Sequence, residues 1–180
     1  MTLVLLTSVV VLGILSFLRF SATGWPRFLT PALHRNIALV TLVFLAIHIV
    51  TAVVDPFTNL GWLSAVVPFS SKYRTLWLGL GTVAAELLAA IVITSLLRDL
   101  IGHIAWRAIH WLAYAVWPIG VVHGLGTGTD GFAAWFFTLT CGCVACVGVA
   151  LYFRLASRPP DPLAASRASF RAGVDRRPDQ

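Results

Sequence analysis

Two stretches decide the fold: "LHRNIALVTLVFLAIH" at residues 33–48 and "IHWLAYAVWPIGVVH" at residues 109–123. Each is apolar over most of its length and carries a histidine near both ends. His34 and His48 are fourteen positions apart, and His110 and His123 are thirteen apart. At about 1.5 Å of rise per residue, each pair spans roughly 20 Å, most of a bilayer core. A membrane helix has little reason to bury two imidazoles unless something binds them. Two helices so marked can clamp two stacked cofactors, one toward each face.

Composition supports a membrane setting. The 180 residues are 58% hydrophobic and only 11% charged, and mean hydropathy is +0.87. A soluble domain carries about 25% charged residues. The length fits one helical bundle. Cys141, Cys143 and Cys146 share one apolar stretch, which excludes a secreted disulfide framework. The absence of Cys-x-x-Cys-His excludes covalent haem attachment. A net charge of +6 would suggest nucleic acid in a soluble protein. Here the charges report topology, and no nucleic-acid partner is expected.

Five segments are apolar enough to cross: Thr2 to Leu18, Thr30 to Val54, Thr75 to Leu97, Gly102 to His123 and Phe132 to Phe153. Thr30 and Pro31 suit an N-cap and a first helical position. The first segment lacks the basic flank and cleavage motif of a signal peptide, so it is read as a span. Arg19, Arg27, Arg35, Arg98, Arg107, Arg154, Arg158, Arg167, Arg171, Arg176 and Arg177 then fall on one side of a five-helix bundle. Only Lys72 and Arg74 fall on the other. The positive-inside rule puts the N-terminus outside and the C-terminus in the cytoplasm. The expected fold is therefore an all-α membrane protein of five transmembrane helices. The transmembrane domain covers 1–156, and a disordered cytoplasmic tail covers 157–180, free in solution or lying against anionic lipid.

With that orientation His34 matches His110 in depth, near the cytoplasm, and His48 matches His123, near the outside. Imidazole at both axial positions closes an iron to oxygen binding and favours outer-sphere electron transfer. The rotations agree less well. Fourteen positions turn an ideal helix to about −40°, whereas thirteen turn it to about −140°. Pro118 lies between His110 and His123, and a kink or bulge there is expected to restore the alignment. His103 lies at the membrane edge and is read as an interfacial residue.

At these residues the chain resembles the ferric reductase-type transmembrane domain, which includes ferric reductases, NADPH oxidases and a haem-binding sulfoxide reductase subunit. The resemblance covers roughly Leu12 to Phe153. It implies two b-type haems, one held by His34 with His110 and one by His48 with His123. It also implies cytoplasmic reductant and electron delivery to the outer face. Many members have six helices, whereas five are read here. No Gly-rich nucleotide motif follows the last span, so electrons are expected from a separate flavin reductase or from quinol. The acceptor is ferric chelate, oxygen or a periplasmic partner, and the setting is the cytoplasmic membrane. The rivals are an electron-transfer subunit without a small substrate of its own and a non-haem transporter using the histidines and Glu86 for protons or metal.

Other residues carry two readings each. Arg35 and Arg107 either neutralise haem propionates or only mark the inside. Lys72 and Arg74 could do the same for an outer haem or attract an anionic acceptor. Trp106, Trp111, Trp117 and Trp135 could stack near porphyrins, but packing and interfacial belting are the commoner uses. Glu86, deep in a span, either has a functional role or is a neutral, hydrogen-bonded acid. Cys141, Cys143 and Cys146 point in different directions on a helix and are read as small packing residues. The "GLGTGTD" connection after His123 is read as a flexible turn.

Overall fold

The computed structural model describes residues 1–20, 24–56, 60–127 and 133–157. The tail beyond Ser157, with the five arginines expected on the cytoplasmic side, and the end of the "GLGTGTD" connection lie outside those residues. The described chain is helical: α1 (Thr2–Phe17), α2 (Leu29–Val54), α3 (Trp62–Val66), α4 (Thr75–Leu96), α5 (Arg98–Ile101), α6 (His103–His110), α7 (Ala113–Thr127) and α8 (Ala134–Ala156). No strand occurs among the described residues.

Four helical stretches are long and apolar enough to cross a membrane: α2, α4, α6 with α7, and α8. Several crossing helices make this a multi-pass membrane protein. α1 is shorter, at 16 residues, or about 24 Å. Hydroxyls within these helices are satisfied locally, as hydrocarbon requires. Thr7 donates to the Leu3 carbonyl at 2.8 Å, Thr41 to Ile37 at 2.7 Å and Thr140 to Phe136 at 2.9 Å. Thr30 is not the N-cap of α2, because the helix already begins at Leu29 with Phe28 as cap. Its buried hydroxyl instead accepts from Trp25 Nε1 at 2.9 Å. Pro31 still sits in the first turn, where a missing N–H costs nothing.

α1 packs along α2 and also touches α7 and α8, while α4 packs along α7 and α6. Val10 and Ile14 of α1 meet Val147 and Ala150 of α8, with Tyr114 and Trp117 of α7 against them. The core thus seats α1 between the flanking helices. α2 carries His34 and His48, α6 ends on His110 and α7 carries His123, yet α2 is not among the closely packed partners of α6 or α7. A gap separates them.

The fourth span is broken, but not at Pro118. α6 ends at His110 and α7 begins at Ala113. Between them the backbone tightens: Leu112 N–H donates to Ile109 at 2.9 Å, Tyr114 to Trp111 at 3.1 Å and Ala115 to Leu112 at 2.9 Å. These are i−3 bonds, turning about 120° per residue instead of about 100°. Each residue wound in this way adds about 20° of turn, which moves the thirteen-position pair from about −140° toward the orientation of the fourteen-position pair on α2. Pro118 lies within α7, and the realignment expected there comes from the tight turn ahead of it.

Candidate functional site

The histidines meet in the pairs expected from their depth. The His34 and His110 ring centres are 6.3 Å apart with planes at 69°. Those of His48 and His123 are 6.2 Å apart with planes at 81°. Two imidazoles sharing one iron need a similar spacing. With each nitrogen about 2 Å from the metal and each ring centre roughly 1.1 Å behind its nitrogen, the centres are about 6.2 Å apart.

Two of the rings are held in a set tautomer. His34 Nδ1 lies 2.9 Å from the Val9 carbonyl of α1. His123 Nδ1 lies 2.8 Å from the Trp77 carbonyl of α4. A carbonyl only accepts, so each Nδ1 carries the proton and Nε2 keeps its lone pair. This is how metal-bound histidines are usually braced. His110 Nδ1 is buried and has no hydrogen-bond partner among the described residues. The ring is stacked instead on Trp106, at 5.1 Å and 29°. Trp106 in turn donates to Ser95 Oγ at 3.2 Å.

Two glycines make room for the rings. A Cβ on Gly81 would stand 2.6 Å from His123 Nδ1, and one on Gly13 would stand 3.3 Å from His34 Cε1. The first is well inside any real contact; the second is merely tight. Around His48 and His123 lies a cavity of about 470 Å³, within the usual range for cofactor sites. Its walls include Leu6, Thr41, Gly81, Val116, Gly120 and Trp135. Among the described residues no three His, Cys, Asp or Glu side chains gather to hold a bare metal ion. Two facing imidazoles would hold a metal only together with a group, such as a porphyrin, that brings further ligands of its own. Ring spacing and ligand number fit haem at both pairs, each with one ring held in the ligating tautomer, and the cavity adds room at the His48–His123 pair.

The remaining candidates separate. Arg35 and Arg107 are exposed, each next to or near its histidine in sequence. Arg74 donates to the Gly126 carbonyl at the end of α7, a structural use that the sequence did not suggest. Lys72 is exposed. His103 is exposed and tilts on Trp106 at 5.5 Å. Trp117 donates to Thr7 Oγ1 at 3.0 Å, tying α7 to α1. Glu86 is exposed on α4 and pairs with no histidine in an ion pair. Cys143 is buried, whereas Cys141 and Cys146 are exposed, and all three are free.

Sequence reasoning missed the carbonyls of Val9 and Trp77, the two glycines and the Trp106 stack. Backbone acceptors leave no mark in the sequence. Gly13 and Gly81 did leave one, as glycines within otherwise apolar helical runs, where such a residue points to a packing or functional need.

A family model described as "Ferric reductase like transmembrane component" matches residues 1–121. The matched span includes His34, His48 and His110 and stops just short of His123. No family model of a flavin or nicotinamide domain matches the residues given. No curated protein and no solved structure matches the chain.

Proposed function

The chain belongs to the ferric reductase-like transmembrane family, and from that premise we propose that it is a b-type dihaem protein carrying electrons across the cytoplasmic membrane. The family itself points to transmembrane electron transfer. The observation that carries the finer reading is the double pairing of rings, at 6.3 Å and 6.2 Å, on helices that otherwise stand apart. His34 and His110 would hold one haem, and His48 and His123 the other. Bound in this way, the group would supply an iron that exchanges single electrons without binding oxygen.

The protein's own residues orient and enclose. The Val9 and Trp77 carbonyls hold two imidazoles by Nδ1 and so leave Nε2 as the ligating nitrogen. Gly13 and Gly81 let helices α1 and α4 approach those rings. Leu6, Leu45 and Val116 help give the second site an apolar wall. Arg35 and Arg107 are suited to neutralise propionates at the cytoplasmic pair.

α1 is read as a fifth crossing helix. Its first residues line the cavity beside His48, and its Val9 carbonyl reaches His34, so it runs antiparallel to α2 through the depth of both pairs. With five crossings, Arg19, Arg27, Arg35, Arg98, Arg107 and Arg154 lie at one pole, and Lys72 and Arg74 at the other. That distribution supports an outside N-terminus and a cytoplasmic C-terminus. The donor is a separate flavin reductase or quinol; the acceptor is a ferric chelate, oxygen or a periplasmic partner.

Sealed vesicles with ferric chelate trapped inside and reduced quinol outside test the proposal. The same vesicles are then supplied with NADH and a flavin reductase. Wild-type protein should reduce the chelate with at least one donor, and His48→Ala should fall to the protein-free rate. Wild-type protein that becomes reduced yet leaves the chelate untouched with both donors would count against a small external acceptor and favour delivery to a partner protein.

A further inference from the structure

Every described Lys and Arg is exposed except Arg154, which is half-buried near the end of α8. Its guanidinium carbon lies 4.3 Å from the ring centre of Phe17, 4.8 Å from that of Trp111 and 4.9 Å from that of Tyr114. It also donates to the Tyr114 hydroxyl. A planar, permanently charged group can stack on rings with its face and donate at its edge in this way; a lysine ammonium is a compact point charge without that planar fork. Its position in the last turn of α8 also suits the negative end of that helix.

The residues it grips are those at the break in the fourth span. Trp111 caps α6, and Tyr114 lies in the first turn of α7. Tyr114 N–H donates to the Trp111 carbonyl at 3.1 Å, one of the tight bonds that supply the missing rotation. Phe17 ends α1, the helix whose Val9 carbonyl braces His34. Arg154 thus touches both elements that aim the first histidine pair. The second pair is braced from α4 instead, by the Trp77 carbonyl and Gly81, neither of which Arg154 contacts.

We propose that Arg154 is a positioning residue: it clamps Trp111 and Tyr114 across the tight turn and so sets the rotation that presents His110 to His34. The inference rests on the haem reading for what the alignment achieves, but the clamp itself is independent of haem. Its consequence is selective, acting on the His34–His110 site and sparing the His48–His123 site.

The test uses the full chain with Arg154→Met, Arg154→Lys and Tyr114→Phe. Three quantities are read: haem per chain, the low-spin paramagnetic resonance signals, and amide exchange at Leu112, Tyr114 and Ala115 in protein made without haem. Arg154→Met should lose or shift the signal that His34→Ala abolishes, keep the one that His48→Ala abolishes, and speed exchange at the three amides. Tyr114→Phe should show the same pattern more weakly, and Arg154→Lys should recover only part of it. Wild-type signals and exchange in Arg154→Met would overturn the proposal, as would equal loss at both sites. If Arg154→Met does not accumulate, Tyr114→Phe decides by the same criteria. Wild-type protein without haem would sink the haem reading, while faster exchange in the variants would still support the clamp.

Discussion

At the level of single residues, the site depends on small groups next to large ones. Gly81 and Gly13 both face a histidine ring, but the clearance differs. An added methyl at Gly81 would meet His123 at a distance that no real Cβ tolerates, while at Gly13 the neighbour has to give by only a few tenths of an ångström. Gly81→Ala should therefore strip most of the haem from the His48–His123 site, and Gly13→Ala should leave the His34–His110 site largely filled. Haem content and reduced-band absorbance of the two variants check this; a Gly81→Ala protein with a full complement would show that the ring is not held where it stands. The four histidines were legible in the sequence because a buried imidazole is rare in a span and their intervals nearly repeat. What braces them was not, because a main-chain carbonyl such as that of Val9 belongs to no residue type. Arg74 was legible as an outer cation but not as the partner of the Gly126 carbonyl, which depends on how the ends of α4 and α7 approach each other.

Among the elements, the fourth span separates what pattern can show from what packing decides. Hydropathy places its start and marks Pro118, the usual cause of a kink. The overwound turn lies earlier, at Trp111 and Leu112, residues with no breaker character of their own. Arg154 of α8 stacks on Trp111 and Tyr114 there, a contact that a single segment does not encode. Pro118 leaves the Tyr114 carbonyl without its usual helical donor, and α7 continues through it. The alignment does not depend on the proline, so Pro118→Ala should retain both haems. One alanine inserted after Ile119 should act differently. It would rotate the rest of α7 by about 100° and carry His123 away from both His48 and the Trp77 carbonyl. The His48–His123 haem should be lost and the other kept, as read from haem per chain and from which resonance signal survives. Loss of the His34–His110 signal instead would mean that the two halves of the span are not set independently.

For the molecule as a whole, α1 against α2 and α4 against α7 form two packed pairs. The histidine-bearing helices α2 and α7 face one another across the space between. Helix–helix contact in a bilayer gains little from apolar burial, so packing and hydrogen bonds have to hold such a frame. Trp117 to Thr7 and Arg154 to Tyr114 are bonds of that kind, linking α7 to α1 and to α8. The matched family segment and the two ring pairs together favour an electron path through the bundle. Everything in that account follows from two haems seated independently in one chain. Haem and protein quantified together on purified wild type, His34→Ala and His48→Ala test it most directly. The account predicts low-spin b-type bands with two haems per wild-type chain, and one haem in each variant with a different resonance signal retained. A colourless wild-type protein, or variants that each lose both haems, would contradict it.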